Sequence, residues 1–207
     1  MKKIISQATI DRLPLYFRML RLAEEEGLQI ISSDELGRRL DITPEQIRKD
    51  LATFGQFGRK GIGYDVHELK DKIGNILGLQ NNWRLAIVGV GHLGGALANY
   101  VNFASLGFSV VALFDINKKI IGSEVNGIKV NAASQMKRII AAKEIDIGVI
   151  TVPVEEAQGV ADQLVAAGVK GIWNFAPTKI TVPPSVPLVN EDLSIGLSAL
   201  SYHMSQE

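Results

Sequence analysis

The chain has 207 residues, enough for one large domain or two small ones with a buried core. Its 46% hydrophobic and 21% charged residues are ordinary for a soluble globular protein, and 22 basic residues balance 22 acidic ones, so total charge argues neither for nor against nucleic acid. The absence of cysteine excludes disulfides, thiolate metal sites and thiol redox switches, and fits a reducing compartment.

The start, Met-Lys-Lys-Ile-Ile-Ser-Gln, carries too short an apolar run for a signal peptide. No stretch approaches the ~20 apolar residues that span a bilayer, so a cytoplasmic protein without a membrane partner is expected. Ile10, Leu13, Phe17 and Leu20 then follow helical spacing, interrupted by Pro14, so the helix either begins at Leu13 or carries a kink. Ser32-Ser33-Asp34-Glu35 is a capping box opening a short helix with Leu36 and Leu40. Thr43-Pro44-Glu45-Gln46 is a second helix start, with Thr43 as cap, Pro44 in the first turn and Gln46 closing the box. Ile47, Leu51 and Phe54 share one face of that helix, and Arg48 and Lys49 lie off it. A glycine-rich stretch follows, and Val66, Leu69, Ile73 and Ile76/Leu77 mark one more amphipathic helix.

The texture changes near Gly78–Trp83, where Gly, Asn and Asn break the periodicity; this places a first domain at 1–79 and a second from 80. The second half reads as strand 85–89, glycine turn and helix 92–104, strand 109–114 and a short strand near 128–130. Helix 134–143, strand 147–152, helix 154–167 and strand 171–175 follow, then a Pro-rich stretch 177–187 and a terminal helix at about 192–204. Such alternation predicts a doubly wound, Rossmann-like α/β parallel sheet covered on both faces.

Gly89-Val90-Gly91-His92-Leu93-Gly94 matches G-x-G-x-x-G in its required setting, after a buried-strand run and before a helix. Gly89 suits the tight turn, Gly91 the approach of backbone to a pyrophosphate, and Gly94 close helix–strand packing. Asp115, closing "FSVVALFD" some twenty residues on, would accept hydrogen bonds from the adenosine ribose and repel a 2′-phosphate. That favours NAD(H) over NADP(H), an inference softened by the neighbouring Lys118 and Lys119. A glycine turn that binds nothing, or one that binds CoA, fits the same residues.

From Leu36 to Gly63 six basic residues (Arg38, Arg39, Arg48, Lys49, Arg59, Lys60) stand against three acids (Asp41, Glu45, Asp50). The two capped helices suit a helix-turn-helix whose second helix enters the major groove, and "GQFGRKGIGYDV" suits a wing. The candidate DNA-contacting residues are Thr43, Gln46, Arg48, Lys49, Arg59, Lys60 and Tyr64. The plainer alternative is a helical cap domain with ordinary surface charges.

No catalytic donor is legible. Tyr-x-x-x-Lys does not occur, and His67, His92 and His203 are scattered; metal-ligand spacing and a nucleophile elbow are also missing. A receptor is therefore favoured over an NAD-dependent oxidoreductase, with neither catalytic nor metal-ligating residues expected.

The blocks "LPLYFRML", "SSDELG", "QIRKDLATFGQFGRKGIGYDV", "ILGL", "VGVGHLGGALANY", "VALFD", "TVP", "AAGVKGIWNFAP" and "VPLVNEDL" resemble, in order, those of the Rex redox-sensing transcriptional repressors. The resemblance implies a homodimer with an N-terminal winged helix, an NAD(H)-binding domain at 80–190 and a domain-swapped C-terminal helix at 191–207. It implies binding to an inverted-repeat operator when NADH is low, release by NADH, and control of respiratory and fermentative genes. It also implies that Gly89, Gly91, Gly94 and Asp115 hold the cofactor, that Tyr100 serves the NADH-linked switch, and that Arg18 and Asp192 form a coupling pair across the dimer. Pro153, Phe175 and Pro177 would line an apolar nicotinamide pocket. Leu193 departs from the pattern where relatives can place a phenylalanine.

Overall fold

The computed structural model describes residues 5–59 and 61–205, and the chain divides into two compact units, Met1–Asn81 and Asn82–Glu207. Lys60 lies outside the described residues.

In the first unit, α1 (Gln7–Glu25) starts at Ser6, whose Oγ accepts from the Thr9 N–H at 3.2 Å. It runs through Pro14 rather than starting at Leu13. After β1 (Ile30–Ile31), Ser32 caps α2 (Ser33–Leu40) by accepting from the Glu35 N–H, and Thr43 caps α3 (Pro44–Phe54) by accepting from the Gln46 N–H. Between them Asp41 turns the chain in the left-handed region, with φ 54°. A tight Arg59–Gly63 hairpin leads into β2 (Tyr64–Asp65), antiparallel to β1. Gly63 is required there: its φ is +109°, and a Cβ would sit 2.7 Å from the Ile31 carbonyl oxygen. Asp65 then caps α4 (Val66–Leu77). Leu13, Tyr16, Leu20, Ile31, Leu36, Ile47, Leu51, Leu69 and Ile73 close one apolar core. A helix-turn-helix followed by a small hairpin against one strand is a winged helix.

The second unit is built on β3 (Trp83–Val88), β4 (Phe108–Asp115), β5 (Glu124–Val125), β6 (Ile128–Ala132), β7 (Ile147–Ile150), β8 (Gly171–Asn174) and β9 (Leu188–Asn190). They form one seven-stranded sheet in the order β5-β6-β4-β3-β7-β8-β9, parallel except for the β5–β6 pair. Both faces of the central strands are apolar. Ala86, Val88, Ala112, Phe114 and Ile150 belong to the core that includes Ile140 of α7 (Met136–Ala142) and Leu164 of α8 (Val154–Ala167). Leu85, Ile87, Leu113 and Val149 pack on the other side with Ala98 of α5 (His92–Ala98). Burial on both faces turns the strands into near-continuous apolar runs.

Three expectations change. The helix read over 92–104 is two short ones, α5 and α6 (Asn102–Ser105). Asn99 ends the first, its side-chain amide donating back to the Gly95 carbonyl at 2.8 Å. β5 was not foreseen; it folds back through Asn126 and Gly127, both with positive φ, onto β6. β9 was not foreseen either: a three-residue edge strand follows the Pro-rich stretch. The last helix, α9 (Leu193–Met204), exposes Leu193, Ile195, Leu197, Leu200, Tyr202 and Met204.

Candidate functional site

The order of the sheet reverses between β3 and β7, and the crevice at the carboxyl ends of these strands is where doubly wound sheets take ligands. The glycine loop leaves β3 at this point. Gly89 has φ +94°, and a Cβ would lie 2.7 Å from the Thr151 carbonyl oxygen; a Cβ on Gly94 would overlap the Gly89 carbonyl oxygen. Neither position accepts another residue without moving backbone. Around Gly91, by contrast, there is open space, so a ligand can come close to the main chain.

Asp115, at the end of β4, does more than the sequence suggested. Its Oδ2 accepts from the Val90 N–H at 2.7 Å, and its Oδ1 accepts from the Asn117 N–H at 2.8 Å. Thr151 was missed as an individual residue, although its block "TVP" was noted. Its Oγ1 donates to the Gly89 carbonyl at 2.6 Å, fastening the loop from the β7 side. His92 and Leu93 form the first turn of α5, with His92 exposed, and Pro153 is exposed at the start of α8.

Tyr100, half exposed, meets Phe103 edge-on at 4.9 Å between ring centroids. The row continues from Phe103 to Trp173 at 6.0 Å and from Trp173 to Phe175 at 4.5 Å. Phe103 and Trp173 were not singled out from sequence; no spacing rule joins a short helix to a strand some seventy residues later. Asp192 caps α9: its Oδ1 accepts from the Ser194 N–H at 2.9 Å and the Ser194 hydroxyl at 2.6 Å, which lowers its pKa. Leu193 is exposed, as are Arg18 on α1 and Pro177.

On the winged helix, Thr43, Arg48, Lys49 and Arg59 are exposed. Arg48 donates through Nη1 to the Ser33 hydroxyl at 2.7 Å, which ties α3 to α2. Arg48 and Arg59 also line a recess of about 670 Å³ between α3 and the hairpin. One expectation changes here. Gln46 does not close its box: its side-chain amide donates forward to Asp50 Oδ1 at 2.8 Å. Tyr64 is 8% exposed and packs in the core, a position that supports the wing from beneath.

Asp50 was counted only as one of three acids. It is 1% exposed and is the centre of a network in which its carboxylate accepts from Thr9, Arg12, Tyr16 and Gln46. Burial alone would raise its pKa; the hydrogen bonds from Arg12, Tyr16 and Gln46 overcome that and hold it at about 2. The signal was present: Ile47, Asp50, Leu51 and Phe54 share one helical face, which places an acid among apolar residues. Among the described residues no cluster of His, Cys, Asp or Glu could hold a metal ion, and no helix is long and apolar enough to cross a membrane.

The chain matches the family model for a CoA binding domain over residues 80–178 and that for a putative DNA-binding protein N-terminus over residues 4–52. It is 44% identical over 97% of its length to the redox-sensing transcriptional repressor Rex of Syntrophobacter fumaroxidans, covering 96% of that protein. The chain belongs to the Rex family. The Rex 1 repressor of Thermotoga maritima is 42% identical over 99% of this chain and 98% of its own. Among solved structures, a Rex-family repressor in complex with β-NAD⁺ and operator DNA superposes with a TM-score of 0.93 at 41% identity, over 99% of this chain and 94% of that one. The same repressor with β-NADH gives a TM-score of 0.91 at 40% identity, over 99% and 96%.

Proposed function

We propose that this chain is a cytoplasmic, homodimeric transcriptional repressor that holds an inverted-repeat operator when NADH is low and leaves it when NADH rises, controlling respiratory and fermentative genes. One observation carries the reading: a glycine loop fixed by Asp115 and Thr151 at the switch point of the sheet, in a chain whose first unit is a winged helix. The Rex relatives bound to NAD⁺, NADH and operator DNA supply the ligands of that reading.

The residues fit NAD(H). The loop bars a Cβ at Gly89 and Gly94, while open space at Gly91 leaves room for a pyrophosphate. His92, Leu93 and Val90 complete the loop, and Asp115, already fixed by two backbone N–H groups, offers its remaining acceptor capacity to the adenosine ribose. Tyr100 and Pro153 belong to the nicotinamide end. The oxidised ring carries one positive charge more than the reduced ring, and an apolar pocket penalises burying it. An effector shifts a two-state equilibrium only by its difference in affinity for the two states; going from mostly bound to mostly released takes roughly 4–6 kcal/mol.

On the DNA side Arg48, Lys49 and the wing residues Arg59 and Lys60 meet the duplex, with Thr43 and Gln46 at the start of α3 and Tyr64 beneath the wing. Two copies must hold their recognition helices about 34–36 Å apart to read both half-sites. The apolar side chains of α9 give the dimer its contact, exchanged between protomers, and Arg18 and Asp192 couple cofactor state to domain position.

The test is release of the protein from an inverted-repeat operator duplex by NADH, with NAD⁺ and CoA as controls. NADH is expected to release it and NAD⁺ to do little. Equal release by NADH and NAD⁺ would sink the sensor reading, and binding of CoA without NADH would replace the ligand.

A further inference from the structure

α1 and the recognition helix share an apolar core, and hydrogen bonds from three α1 side chains converge on one acid of α3. Along the first unit α1 runs closest to α4, and α3 runs closest to α2. A polar link between α1 and α3 is made by the Asp50 carboxylate. Arg12 donates to it from Nε at 2.6 Å and from Nη2 at 2.8 Å, Tyr16 from its hydroxyl at 2.7 Å, and Thr9 from Oγ1 at 3.2 Å. Thr9, Arg12 and Tyr16 lie three and four residues apart, so they form one stripe of α1. From α3 itself Gln46 donates at 2.8 Å.

Asp50 directly follows Arg48 and Lys49, which face solvent on the same helix. Six residues along α1 from Arg12, Arg18 faces solvent as well. A buried carboxylate satisfied by two fork hydrogen bonds, two hydroxyls and an amide has one geometry in which every donor is met. In some proteins a buried ion pair is retained for conformational specificity rather than for net stability.

We propose that Asp50 is a positioning residue for operator recognition: its carboxylate fixes the rotation and height of α3 against α1, so that the recognition helix and the helix bearing Arg18 move as one piece. This rests on the reading of the chain as an NADH-released repressor. Base-edge contacts need the helix at one rotation in the groove, whereas phosphate contacts tolerate a small change. Loosening the hub therefore lowers specific binding while leaving non-specific binding nearly intact.

The experiment compares full-length wild type, Asp50→Asn and Tyr16→Phe. The probes are a duplex carrying the inverted repeat that the wild type enriches from a randomised pool, and a scrambled duplex of equal length. NADH affinity is followed by nucleotide fluorescence, and folding by circular dichroism. Asp50→Asn is expected to lower the operator-to-scrambled affinity ratio at least tenfold, with scrambled-duplex and NADH affinities each within about twofold of wild type. Tyr16→Phe, which keeps the ring and removes one of the hydrogen bonds, is expected to lower the ratio about threefold and remains informative if Asp50→Asn does not fold. A loss of stability alone would leave the ratio of the folded fraction unmoved. An unchanged ratio in a folded variant overturns the inference. A wild type that shows no operator preference overturns the repressor reading, and this inference with it.

Discussion

The carboxylate of Asp115 accepts the backbone N–H of Val90 across 2.7 Å, so the last residue of β4 clamps the turn that leaves β3. The acid that the sequence assigns to the ribose is thus also a structural part of the phosphate turn. Asp115→Ala removes both roles. Hydrogen bonds to a charged group are worth about 1.5–3 kcal/mol, so NADH affinity is expected to fall roughly 10- to 100-fold by fluorescence titration. An unchanged affinity would show that the clamp is incidental to the cofactor.

Gly94→Ala is expected to be severe for a different reason. Its Cβ would overlap the Gly89 carbonyl oxygen, which is backbone and also accepts from Thr151. Overpacking of this kind costs about 1–3 kcal/mol. Thermal unfolding should show that loss together with loss of NADH binding, whereas Gly91→Ala, facing open space, should leave stability near wild type.

The winged helix is expected to lose stability in acid through Asp50. Its folded pKa of about 2 lies below the ordinary 3.8. A depressed carboxylate stabilises the fold above the unfolded value, and the contribution disappears as pH falls through the folded value. The difference is worth about 2 kcal/mol. Urea unfolding followed from about pH 5 to pH 2 should show the gap between wild type and Asp50→Asn shrinking by that amount. A gap that stays constant would contradict the assigned ionisation.

Lys49→Ala is expected to weaken operator and scrambled DNA alike and to reduce the salt dependence of binding by about one counterion, with NADH affinity unchanged. Arg48→Ala should cost more, because the same side chain holds Ser33 of α2 at 2.7 Å. Affinity measured over a range of salt concentrations separates the two.

Leu197 and Leu200 lie on the exposed apolar helix α9. The double substitution Leu197→Asp and Leu200→Asp is expected to give a monomer in sedimentation and to abolish operator binding at protein concentrations where the wild type binds fully. A dimer that survives it would place the interface elsewhere.

Much of this was legible because the signals are local. Ser32 and Thr43 cap the helices they were expected to cap, and the glycine loop follows a buried strand as its spacing requires. The Asn126–Gly127 pair is an equally local hairpin signal, set between two very short strands. Other features were hidden because they depend on partners far apart in sequence. Nothing near Asp50 says that Arg12 and Tyr16 will reach it, and nothing near Thr151 says that it will hold the Gly89 carbonyl. Tyr64 stands among the DNA-contacting candidates on the strength of its neighbours, and its burial depends on a core built from distant residues.

The fastening of the glycine loop by Thr151 has a consequence for the order in which the molecule is made. The loop spans residues 89–94, yet one of its clamps is synthesised about sixty residues later and must first arrive by pairing of β7 with β3. The first unit, with its own core, ends at Asn81. Chains fold domain by domain from the N-terminus as they emerge, at about 5–20 residues per second. The part that reads DNA can therefore fold several seconds before the strand that fastens the glycine loop has been made.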